Sequence, residues 1–159
     1  DVRCEKQPWT ESIWRQSLRG AGFRNLSLPL GWIDPLGLVP LDAKGYSVYA
    51  LFDGDAKEPY YVGITNDVDR RKGEHIASGR LTKGAKMKVL DSNITYGQAR
   101  GYEQYYIDKY RTKTGVIDEK ISETKRGNKI NSFDQSREDL RALAFKDAYN
   151  SKKEVDTCP

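Results

Sequence analysis

The sequence predicts a small α/β domain of the α+β type, a central and mainly antiparallel sheet of about three strands flanked by helices. Three observations predict it. Tyr46-Ser-Val-Tyr-Ala-Leu-Phe52 and Tyr60-Tyr-Val-Gly-Ile-Thr65 are short runs rich in aromatic and β-branched residues. Between them, Asp53-Gly-Asp-Ala-Lys-Glu-Pro59 supplies turn chemistry, so the two runs fold as a hairpin. Further on, Ala99, Tyr102, Glu103, Tyr106, Ile107 and Tyr110 recur at helical spacing.

Taken in order, residues 1–38 read as a leader distinct from a domain at 39–159. The leader holds all three Trp, with one short helix expected around Glu11–Arg19. Its Pro and Gly positions exclude regular helix over residues 28–38, which read as extended. After the hairpin, Asn66 or Asp67 caps a helix running to about Ser78. Lys86–Leu90 is the third strand, and Gln98–Arg111 the second helix of the domain. The polar stretch Thr112–Phe133 carries no assignable pattern. A last helix spans Ser136–Asn150, opened by Ser136-Arg-Glu-Asp139, which resembles a capping box.

The chain has 159 residues, of which 37% are hydrophobic and 31% charged, so the core must be economical. No run approaches the ~18 consecutive apolar residues of a membrane-spanning helix, and the first residues lack the apolar run of a secretory signal. The chain does not begin with Met, as expected of a piece of a longer protein. Cys4 and Cys158 sit at opposite ends and only one His is present. That pattern argues against a structural zinc and leaves two free thiols as the expectation, with a terminal disulfide the alternative. Ten Tyr against four Phe is the compositional oddity, since buried hydroxyls need partners or a task.

The net charge of +4 is unevenly placed. Residues 39–69 carry two basic and six acidic groups, whereas residues 70–113 carry eleven basic and four acidic, a net +7. Within that basic segment Arg71 and His75 stand at i and i+4, so both project from one helix face. A solvated basic face is the plain alternative for this pair. Glu103 lies inside the apolar stripe of the second helix, where a carboxylate costs several kcal/mol unless paired or metal-bound. A salt bridge, a metal ligand and an acid/base group all remain open for it. A basic surface holding an isolated carboxylate, an Arg/His pair and several tyrosines suits phosphodiester binding and hydrolysis.

Together these residues resemble the GIY-YIG nuclease superfamily, from Tyr46 to about Asn131. The Gly-Ile-Tyr signature is represented by Ser47-Val48-Tyr49 and the Tyr-Ile-Gly signature by Tyr61-Val62-Gly63. Arg71 and His75 match the helix that follows, Glu103 matches the metal-binding Glu, and Asn131 matches the later Asn, with Asn128 the other candidate. The resemblance implies an endonuclease using one divalent ion, Mg²⁺ or Mn²⁺, bound by Glu103. It also implies Tyr49 as general base beside Tyr61, Arg71 on the scissile phosphate, and His75 positioning water or sharing its proton. A free Tyr has a pKa of about 10, so neighbouring cations such as Arg71 are expected to favour its phenolate. Arg70, Lys72, Lys83 and Lys86 are the expected further contacts to nucleic acid.

The leader has its own resemblance. Pro29-Leu-Gly-Trp-Ile-Asp-Pro-Leu-Gly-Leu38 is similar to the motif that closes the core of Rhs-family polymorphic toxins. This implies self-cleavage after Leu38, with Asp34 an autoprotease aspartate, and a released toxin comprising residues 39–159. The expected partners are DNA, the parent Rhs core and a cognate immunity protein, with no membrane. The expected site of action of such a secreted effector is the cytoplasm of a rival bacterial cell. The alternatives are an RNase toxin acting on transfer RNA and a catalytically silent nucleic-acid-binding domain of the same fold.

Overall fold

β1 (Tyr46–Asp53) is the middle strand of a three-stranded sheet in the order β2-β1-β3. It pairs antiparallel with β2 (Tyr61–Thr65) and with β3 (Ala85–Ile94). The computed structural model describes residues 38–157. The expected helix at Glu11–Arg19, the leader residues up to 37 with Asp34, and both cysteines lie outside the described residues. Leu38 is exposed.

The pleat of β1 divides the domain in two. Val48, Ala50 and Phe52 face one side and pack, with Val62 of β2, against Ala99, Tyr106 and Ile107 of α2 (Tyr96–Tyr110). Full burial of a Val or Ile side chain stabilises by ~1.5–3 kcal/mol, which anchors the helix to the sheet. The alternate residues Tyr49 and Leu51 face the other side, where they cluster with Tyr61 and Leu81. α1 (Val68–Ala77) delivers His75 to that second side. One face of the strand therefore builds the core and the other builds a pocket of polar aromatic groups.

The expected sheet and helices are present, with shifted ends. Asp67 rather than Asn66 caps α1, its carboxylate accepting from the Arg70 amide at 3.0 Å. α2 starts two residues earlier than expected because Thr95 and Gln98 form a reciprocal capping box. β3 extends to Ile94, past the expected Leu90, and its pairing with β1 carries register shifts between Tyr46 and Tyr49. The last helix, α3 (Leu140–Thr157), does not begin at Ser136. The Ser136 hydroxyl and amide are both spent on Asp134, and Asp139 caps the helix by accepting from the Ala142 amide.

α3 also explains why the burial of α2 exceeds one stripe. Gln104 and Tyr105 are buried along with Glu103, Tyr106 and Ile107, whereas Tyr102 and Tyr110 are half-buried. At Gly101 the two helices touch: a Cβ there would lie 2.5 Å from the Ala148 Cβ and 2.7 Å from the Tyr149 nitrogen. Only glycine permits that approach.

Residues 112–133 form neither helix nor strand, yet they close the outer edge of β2. The buried Asn128 side chain does this by imitating a neighbouring strand. Its amide nitrogen donates to the Val62 carbonyl at 2.7 Å, and its oxygen accepts from the Val62 amide at 3.0 Å and the Thr112 hydroxyl at 2.8 Å. Replacing Asn128 by Ala leaves three buried groups unpaired, each worth ~1–3 kcal/mol. We expect Asn128→Ala to lower the midpoint of chemical unfolding by more than a typical surface substitution. An unchanged midpoint would show that water replaces the amide.

Candidate active site

Tyr49 is the centre of the site and is fully buried, at 0% exposure. Its hydroxyl lies 2.7 Å from His75 Nε2 and accepts from Arg71 Nε at 3.1 Å. Arg71 and His75 meet it together because they stand one turn apart on α1. The Tyr61 ring completes the cluster, 6.2 Å from the Tyr49 ring and 5.2 Å edge-on from the imidazole. The register of the hairpin makes this possible: Tyr49 pairs with Gly63, and Tyr61 lies two residues away on the same face.

Gly63 is the complement of Tyr49. A Cβ at this position would sit 2.7 Å from the Tyr49 Cζ and closer still to its oxygen. Its backbone φ is not left-handed, so it is space and not conformational freedom that requires glycine here.

The protonation pattern follows from burial. His75 is pushed down to about 4, first by burial and then by the charges of Arg71 and Arg80. It is therefore neutral at pH 7. With His75 neutral, its Nδ1–H tautomer lets Tyr49 donate to Nε2 while the Tyr49 oxygen accepts from Arg71 Nε–H. The expectation that cations favour the phenolate is corrected here. Burial and then the neighbouring Tyr61 hold the Tyr49 phenol above its ordinary value, and the hydrogen bond from Arg71 offsets only part of that rise. Tyr49 rests as a neutral phenol.

Glu103 is 9% exposed, and burial raises its carboxyl above the usual range against the opposing effects of Ser132, Arg100 and Arg71. It forms no salt bridge among the described residues. Its Oε2 accepts from the Ser132 hydroxyl at 2.5 Å, and Oε1 has no protein donor among the described residues. Ser132 is itself fixed, its amide donating to the buried Gln104 oxygen at 2.8 Å. Among the described residues no three metal-ligating side chains cluster. A lone oxygen ligand, oriented on one side and open on the other, fits a hard divalent ion that keeps most of its waters, and does not fit a zinc cage.

The other expected contacts divide by exposure and pairing. Arg70 is ion-paired with Glu74, which also takes Arg71 Nη1 at 2.6 Å. Lys86 meets Asp55 at 3.1 Å, whereas Lys72 and Lys83 are exposed and have no carboxylate partner among the described residues. Asn131 is exposed and makes no side-chain hydrogen bond. The Asn held against β2 is Asn128, behind the strand that carries Tyr61. Ser132 and Arg80 were not legible as site residues. Ser132 reaches Glu103 across 29 positions of sequence, and Arg80 is one cation among eleven in its segment.

Residues 45–115 match the family model described as the GIY-YIG catalytic domain. That span includes Tyr49, Tyr61, Gly63, Arg71, His75 and Glu103, and excludes Asn128, Asn131 and Ser132. No curated protein and no solved structure matches the chain. The matched residues form the three-stranded antiparallel sheet, α1 with the side chains that meet Tyr49, and α2 with Glu103, and a GIY-YIG catalytic domain implies endonuclease activity.

Proposed function

We propose that residues 39–157 form a metal-dependent endonuclease that hydrolyses phosphodiester bonds in DNA. The observation that carries this reading is the hydrogen-bonded chain Arg71–Tyr49–His75 within a domain that matches a nuclease family. GIY-YIG nucleases commonly use divalent metals, and Glu103, oriented by Ser132, is the residue that would hold one. Such an ion supplies charge neutralisation at the leaving oxygen.

The protein's own groups account for the proton. Water attacks phosphorus and gives its proton to the Tyr49 oxygen as Tyr49 passes its own proton to the neutral His75 Nε2. The bond to the leaving oxygen breaks as the new phosphorus–oxygen bond forms. This coupled transfer lets a phenol that is never a resting phenolate act as a base. Arg71, with Nη1 on Glu74 and Nε on Tyr49, has Nη2 left for the scissile phosphate.

Tyr49→Phe removes the relay and is expected to slow plasmid nicking by ~10²–10⁴-fold. The parent's rate is expected to hold steady around neutral pH and to fall as pH drops towards about 4, where His75 protonates and can no longer accept. Incubation of the purified protein with plasmid and with total RNA, with Mg²⁺ or with EDTA, tests the whole reading. Plasmid nicking that EDTA abolishes is the expected result. Cleavage of transfer RNA alone would reassign the substrate, and intact substrates with a gel shift would leave a binding domain.

The biological setting belongs to the same proposal. The Pro29–Leu38 motif resembles the closing motif of an Rhs core, so the domain is the tip of a secreted toxin acting in the cytoplasm of a competing bacterium. A producing cell then needs a cognate immunity protein. Cytoplasmic expression of residues 39–159 in a bacterium should arrest growth, and the Tyr49→Phe form should not.

A further inference from the structure

Among the described residues only two buried side-chain polar atoms lack a hydrogen-bond partner, and both are arginine Nε atoms, those of Arg80 and Arg100. Neither arginine forms an ion pair with a carboxylate among the described residues. Leaving a buried donor unpaired costs ~1–3 kcal/mol, and a Leu or Met could cover the same aromatic surface without that cost. Both guanidinium groups lie over aromatic rings. That of Arg80 lies 4.5 Å from the Tyr61 centroid, and that of Arg100 lies 5.6 Å from Phe145 and 5.9 Å from Tyr96. A guanidinium held against a ring in this way keeps its outer Nη donors for an oxyanion.

Their placement is equally selective. The Arg80 charge acts on His75 and the Arg100 charge acts on Glu103. Arg80 lies beside Tyr61, and Arg100 stands one helical turn before Glu103 on α2. Arg70 and Lys86, by contrast, already have Glu74 and Asp55.

We propose that Arg80 and Arg100 are phosphate-binding residues that grip the nucleic-acid backbone on the two sides of the cleavage position. The proposal rests on the nuclease reading and adds to it the residues that seat the phosphates flanking the scissile one. On binding, the outer Nη groups, which neither arginine spends on a protein acceptor among the described residues, donate to phosphate oxygens.

The test uses the Glu103→Gln background, in which cleavage is expected to be suppressed, and a short labelled DNA duplex titrated at several salt concentrations in EDTA. Each phosphate contact contributes ~0.9 to the slope of log affinity against log salt. Arg80→Gln and Arg100→Gln are each expected to weaken binding several-fold and to flatten that slope by about one contact. Arg80→Lys and Arg100→Lys keep the charge, so they should keep the slope while losing part of the affinity. A Gln variant with the parental slope, or a Lys variant as flat as Gln, would overturn the assignment for that residue and leave only a stacking role. The same titration on transfer RNA makes the comparison if the parent binds only RNA. A parent that neither binds nor cleaves DNA or RNA overturns the nuclease reading itself, which is a separate result from a cleaving parent with an unaltered Arg80 or Arg100 slope.

Discussion

Glu103→Gln is expected to reduce metal-dependent cleavage by at least ~10²–10³-fold while making the domain more stable at neutral pH. The two effects have one cause. Glu103 is buried and, among the described residues, carries one hydrogen bond from Ser132 and no ion pair. Its folded-state pKa is raised, with burial the largest cause. A carboxyl raised in the fold favours the folded state below its unfolded pKa, and that contribution is lost as pH rises through the folded value. At pH 7, well above the ordinary carboxyl value, burial of this group therefore costs stability in the metal-free protein. Gln keeps the shape and an oxygen for Ser132 but carries no charge. Its melting temperature should exceed the parent's at pH 7, and the difference should shrink towards pH 4. Thermal unfolding at the two pH values, beside a plasmid assay, checks both halves. A Gln variant that cleaves at the parental rate, or that melts lower at pH 7, would sink this account.

Gly63→Ala is expected to inactivate the site without touching any group that reacts. The added methyl would fall inside the Tyr49 ring and hydroxyl, 2.7 Å from Cζ. Tyr49 is at 0% exposure and bonded to both Arg71 and His75, so it cannot yield without breaking those bonds. A displacement near 1 Å at such a site costs ~10²-fold in rate, and overpacking typically costs ~1–3 kcal/mol in stability. Both losses should appear together, and binding to duplex DNA should change much less than cleavage. A Gly63→Ala protein with parental nicking would mean that β2 moves aside, which would be visible as a lost contact between Tyr49 and His75. Pairing it with Tyr49→Phe adds a second check, because the smaller ring edge should recover stability but not activity.

Much of the fold was legible because the relevant interactions are local. The hairpin follows from two short β-rich runs around a turn, and α1 from an Asp cap and a polar helical face. The juxtaposition of Arg71 with His75 needs only the helical repeat. The ends of elements were less legible where a side chain had rival partners. Ser136 could cap a helix, but in the folded chain it bonds Asp134 and the cap passes to Asp139.

The site shows the same division. The charged and aromatic residue types, and their order along the chain, point to phosphodiester chemistry through a family resemblance. The resemblance also implies that the Arg71 cation lies near Tyr49. It does not show how deeply Tyr49 is buried, and desolvation outweighs that cation, so the expected phenolate becomes a phenol. Asn128 and Asn131 are equivalent as letters; the path of residues 112–133 takes one to the edge of β2 and leaves the other exposed.

By itself, then, the sequence determined a mainly antiparallel sheet with flanking helices and the cast of candidate residues, because periodicity and turn chemistry act over a few positions. Only the tertiary structure decided which proton Tyr49 holds, what orients Glu103 and which arginines stay unpaired. Those properties depend on burial and on contacts between distant segments, and neither is encoded in local spacing.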